Sequence, residues 1–159
     1  MVHIRCAAVK SPAIDLGVRM QCDFEISQGI YLVQSLHKLD LHNDFIFVGF
    51  DYSLEYRTLV LRWRRSPGEW VCIGTPASVS IEFQVVSEFR FQPRDSANPF
   101  TEDDCVNSIG YWTDEDWADG VFEVESNQQS DPNWLTAIEF VSGAVIAVQA
   151  ASAQAQIEL

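Results

Sequence analysis

The sequence predicts a mainly β domain, an antiparallel β-sandwich or roll with one short helix near the N-terminus. An α+β arrangement is the neighbouring alternative. Three observations point there. Short stretches alternate apolar and polar residues at period two, clusters of Pro, Gly, Ser and Asp punctuate them, and only one stretch has helical spacing.

Taken in order, residues 1–19 are locally basic, contain Pro12 and keep no persistent period. They read as a loosely attached extension or a first strand, and residues 20–159 as a single β-rich domain. Ile30, Val33 and Leu36, with Leu32 and Leu39, predict a short amphipathic helix over Ser27–Leu39. Ser27 is its N-cap, and Gly29 weakens it. The continuous apolar run Phe45–Phe50 predicts a centrally buried strand. Leu59, Leu61 and Trp63 alternate with Val60, Arg62 and Arg64, a strand with one wetter face. The turn residues Ser66-Pro67-Gly68-Glu69 predict that Trp70–Ile73 folds back as a hairpin partner. Val79, Ile81, Phe83, Val85, Phe89 and Phe91 share one parity, which predicts a long bent strand interrupted at Ser87. Trp134–Val141 and Ala144–Ala150 flank Ser142-Gly143, a two-residue hairpin signal. The tail Ala153–Leu159 alternates again.

The 159 residues suit one domain, and 47% apolar content with ten Phe and five Trp provides for a core. Charge is distributed unevenly. All ten basic residues lie between Arg5 and Arg94, where ten acids balance them. The remaining 65 residues carry thirteen acids and no base, so they hold the whole net charge of −13. Negative protein is repelled by nucleic acid and by anionic membranes, so neither is an expected partner. Cys6, Cys22, Cys72 and Cys105 form no close pair, which predicts free thiols. With no secretory leader recognisable at the start, the expected location is a bacterial cytoplasm.

The acid excess gathers between Glu102 and Asp131, where aromatics are interleaved. Asp103, Asp104, Tyr111, Trp112, Asp114, Glu115, Asp116, Trp117 and Asp119 form the candidate partner-binding segment. Carboxylates steer a basic protein toward the surface, and the aromatic rings supply buried contact. The alternatives are a solvated loop, or tryptophans that close the sheet from inside. As a calcium loop the segment fails in register. Counting from Asp114, Ala118 falls at the fifth position and Gly120 at the seventh, where glycine is needed at the sixth.

His37, His42 and Asp44 form an alternative ligand site, since imidazole and carboxylate can share a proton or bind a metal. The histidines are five apart, not the four of a helical metal site, and a turn-capping role for Asp40, Asn43 or Asp44 competes. Arg62, Arg64 and Arg65 around Trp63 are expected to pair with Glu82 or Glu88 on a neighbouring strand. No Gly-x-Gly, Gly-x-Ser-x-Gly or His-Glu-x-x-His occurs, so neither a cofactor, a metal nor a catalytic residue is expected.

Leu41-His42-Asn43-Asp44 followed by Phe45–Asp51, together with the closing hairpin Ile138–Val148, resembles small β-rich bacterial immunity proteins of polymorphic toxin systems. The resemblance spans residues 30–150 and implies a toxin-neutralising binder without catalytic residues. The expectation is a non-enzymatic acidic protein that docks a basic partner such as a toxin. The alternatives are a small-molecule-binding or hydrolytic β-domain with a cavity near His42 and Asp44, and a structural subunit of a larger assembly.

Overall fold

The computed structural model describes residues 19–112 and 132–159, which form twelve strands and one short 3₁₀ turn. A five-stranded sheet has the order β1 (Gln21–Cys22), β12 (Ser152–Glu158), β7 (Ser78–Gln84), β6 (Thr58–Arg65), β5 (Phe45–Ser53). A four-stranded sheet has the order β8 (Glu88–Gln92), β11 (Val145–Gln149), β10 (Leu135–Phe140), β9 (Val106–Trp112). A three-stranded sheet joins β2 (Glu25–Ser27), β3 (Tyr31–Gln34) and β4 (His37–Asp40). All pairings are antiparallel except β1 with β12. The predicted β class therefore holds, and residues from all three sheets share one core.

That core follows from alternation. Leu59, Leu61 and Trp63 on β6 lie beside Val79, Ile81 and Phe83 on β7, and all are buried, while the intervening positions face outward or lie at the margin. Phe140, Ile146 and Val148 complete it from the four-stranded sheet. On the other face of that sheet Trp112, Ala137 and Val145 form a second, smaller apolar cluster.

The alternating stretch from Val79 to Phe91, expected as one long bent strand interrupted at Ser87, is two strands. β7 and β8 belong to different sheets, and the corner between them is Val85-Val86-Ser87. Val85 has a left-handed φ of 54°, a strained value for a β-branched residue, and it turns outward while Val86 is buried. The antiparallel partner bends at the same place: Ser87 N–H donates to Gln149 C=O, and Ala151 N–H to Gln84 C=O. The closing hairpin over Ser142-Gly143 forms as expected, with Gly143 at φ 81°.

Three expectations are corrected. Ser27–Leu39 is not a helix. Gln28 and Gly29 both take positive φ, and so does Ser35, so the chain reverses twice and makes β2, β3 and β4. Each reversal resets the facing of the side chains, so Ile26, Leu32 and Leu39, one from each strand, are all buried, and Leu32 and Leu39 stand seven apart as on one helix face. Leu36, which a helix would bury, stands 99% exposed at the second turn. Trp70–Ile73 does not pair back. β6 pairs with β7 instead, and residues 66–77 are a long loop held by Arg65 N–H to Ala77 C=O and Trp70 Nε1–H to Asn43 C=O. The Phe45–Phe50 run is an edge strand and not a central one. Residues 1–18, which hold most of the predicted N-terminal extension, lie outside the described residues.

Candidate functional site

Edge strand β5 creates a concavity. Its pairing with β6 slips between Phe47 and Gly49, so Val48 is an extra residue, 60% exposed, and Gly49 adopts φ 141°, where a side chain would be strained. A regular strand would put Phe47 and Phe50 on opposite faces. The bulge turns both inward. Phe47 packs on Trp63 and Phe140, and Phe50 packs on Phe89 and Phe91 of β8. Since β8 is the edge of the other sheet, these rings bridge the open side of the sandwich.

Residues 93–105 cross that opening as a loop, with a 3₁₀ turn at Phe100–Glu102. The loop is tied on both sides. Asp95 N–H and the Asn98 side-chain amide donate to Ser142 C=O, while Phe47 N–H donates to Asp104 C=O at 2.8 Å. Between loop and strands lies a cavity of about 610 Å³, walled by Phe47, Phe50, Phe91, Phe100 and Phe140. Its polar members are Arg94, Thr101, Asp103 and Asp104, of which two are joined by Arg94 Nη1–H to Asp103 Oδ2 at 2.8 Å. Asp103 Oδ1 is shielded from solvent and has no hydrogen-bond partner among the described residues. Phe100 and Phe91 remain 71% and 49% exposed at the mouth.

The predicted partner-binding residues separate. Asp103 and Asp104 both border this cavity. Tyr111 and Trp112 lie on β9 with exposures of 8% and 0%, so Trp112 closes the sheet from within and offers no surface contact. Burial pushes the Tyr111 phenol up to about 12. Asp114, Glu115, Asp116, Trp117 and Asp119 lie outside the described residues.

The alternative ligand site also separates. His37 and Asp44 border a shallow hollow of about 240 Å³ together with Leu36, Cys72 and Thr75. His42 does not line it. Its Nδ1 lies 2.5 Å from Val106 C=O, which makes it the donor nitrogen, and its backbone N–H donates to Asp40 Oδ1. Asp40 also accepts from Asn43, the turn-capping role weighed against a ligand site. Cys105 Sγ comes within 3.9 Å of His42 Nδ1. Burial, then Asp104 and Glu102, raise this thiol above its ordinary value, which disfavours a nucleophilic thiolate. Among the described residues no three His, Cys, Asp or Glu side chains are grouped to hold a metal ion.

Asp44 yields a stability prediction. Burial, then repulsion from Asp40, raises its carboxyl above the usual value, so the folded state prefers it protonated. That contribution is complete below the unfolded-state value and is lost as pH rises through the folded one. Asp44→Asn is therefore expected to raise the thermal midpoint at pH 7 and to leave it unchanged near pH 3. Thermal scans of both proteins at the two pH values check this.

The arginines pair differently from expectation. Arg62 bonds Asp51 across the β5–β6 hairpin, and Arg90 bonds Glu88 on its own strand. Of the cavity residues, Phe47, Phe50, Phe91, Phe100, Phe140 and Arg94 were not singled out as a site from sequence. The available signal was Gly49 inside an aromatic strand, a common mark of a bulge. No helix of the described residues is long and apolar enough to cross a membrane. No protein-family model, curated protein or solved structure matches the chain.

Proposed function

We propose that this chain is a non-enzymatic acidic binding protein of a bacterial cytoplasm that docks a basic protein, in the manner of an immunity protein that neutralises a toxin. The observation that carries this reading is the position of Asp103 and Asp104. They stand at the mouth of an aromatic cavity on the open side of the sandwich, at the start of the acidic segment. Apolar wall beside negative charge is the pairing a cationic protein surface needs: rings give buried contact, and carboxylates give direction and approach rate.

An acidic inhibitor also suits an enzyme that acts on nucleic acid, because it presents negative charge to a site built for phosphate. The test is capture on the immobilised full chain from an extract of the native host, with mass-spectrometric identification. The expected result is one basic protein retained at low salt and released at high salt. Retention of acidic proteins alone, or capture indifferent to salt, overturns the reading.

A further inference from the structure

Resting on that reading, we propose that the aromatic cavity is a socket for one long cationic side chain, lysine or arginine, of the basic partner. Five phenyl rings make a wall suited to an alkyl stem and to the face-on approach of a cation. Carboxylates border that wall. Arg94 engages Oδ2 of Asp103 and holds the carboxylate in place, and Asp104 adds a second carboxylate to the lining. The Asp103 side chain as a whole stays 44% exposed, so its carboxylate remains within reach of a charge-assisted bond from an incoming ammonium or guanidinium.

The sign of the surroundings selects the occupant. Along the loop that rims the cavity, Asp95, Glu102, Asp103 and Asp104 stand against Arg94 alone. An anionic side chain would be repelled, and leucine or phenylalanine would fill the wall without pairing to Asp103 or Asp104. Exposed Phe100, Phe91 and Val48 at the mouth are the surface that the stem and the flanking partner backbone would cover.

The test uses the full chain and three probes of matched length, hexylamine, hexanol and hexanoate, followed by amide chemical shifts. Hexylamine is expected to move the signals of Gly49, Thr101 and Ala144 saturably, hexanol to bind at least tenfold more weakly, and hexanoate not to bind. Asp103→Asn should reduce hexylamine binding to the level of hexanol. Phe100→Ala, a change at an exposed position, should weaken amine and alcohol alike.

A short Gly/Ser peptide with a single lysine should reproduce the hexylamine shifts, and the same peptide with that lysine acetylated should bind at least tenfold more weakly. Equal binding of alcohol and amine, or no effect of Asp103→Asn in a folded protein, overturns the socket. Binding of the free amine without the peptide assigns the cavity to a small molecule and overturns the partner side chain as occupant. None of these probes requires the partner. A failed socket with salt-sensitive capture intact therefore refutes this inference alone, whereas failed capture with a working socket refutes the docking reading.

Discussion

Trp112→Ala is expected to destabilise the fold by about 3–5 kcal/mol, the usual loss when a fully buried large aromatic side chain is truncated. Trp112 is 0% exposed and clusters with Ala137 and Val145, and neither neighbour has the bulk to refill the space it leaves. Tryptophan at this point in the chain would also suit a surface anchor for a partner, and the two roles have opposite signatures. A core tryptophan lowers the urea midpoint sharply and, under conditions where the variant remains folded, leaves partner affinity nearly unchanged. An anchor leaves the midpoint in place and accelerates dissociation. Urea unfolding of the wild type and the variant, with Trp112→Phe as the milder control, distinguishes them, and an unchanged midpoint would refute the burial.

Neutralising Asp104, Asp114, Asp116 and Asp119 to asparagine is expected to slow association with the captured basic partner on the order of tenfold or more, since steering by a charged face accelerates encounter by about that much and upward. Dissociation should change far less, because charges at the margin of an interface act on encounter more than on the formed complex. Screening supplies the control. At physiological ionic strength exposed charges are attenuated beyond about 8 Å, so the wild-type rate should fall steeply with added salt while the variant's rate stays nearly flat. Stopped-flow association at several salt concentrations measures both. Equal rates for the two proteins at low salt would remove the acidic segment from the mechanism.

How much of this was legible beforehand depended on whether the relevant physics was local. The corner at Val85–Ser87 and the closing hairpin were readable, because period-two alternation and a Ser-Gly turn are properties of neighbouring residues. The stretch Ser27–Leu39 misled for a related reason. Two tight turns in thirteen residues leave Leu32 and Leu39 buried seven apart, a spacing that mimics two helical turns, and nothing local distinguishes the cases until the positive φ values of Gln28, Gly29 and Ser35 are seen. Similarly, Ser66-Pro67-Gly68 is turn-like, but its partner strand was decided by competition. Ser78–Gln84 has buried Val79, Ile81 and Phe83 to offer β6, and Trp70–Ile73 does not.

The candidate site shows the same division. Composition alone established an acidic chain whose unbalanced charge begins after Arg94, and it marked Asp103 and Asp104 as the start of the acidic segment. Their significance came from long-range contacts. One extra residue at Val48 turns Phe50 toward Phe89 and Phe91, and the loop through Phe100 is tied across the opening by hydrogen bonds to Ser142 and Phe47. His42 illustrates the converse. It was a reasonable ligand by residue type, until the fold brought the carbonyl of Val106 to its ring nitrogen, sixty-four residues along the chain. Alternation, turn chemistry and charge are written residue by residue, so the sequence determined a β scaffold with an acidic C-terminal part. Which strand lies at an edge, which way a bulge turns a ring and which aromatic is core are settled only when distant segments compete for the same partners, and that is why the cavity belongs to the tertiary structure.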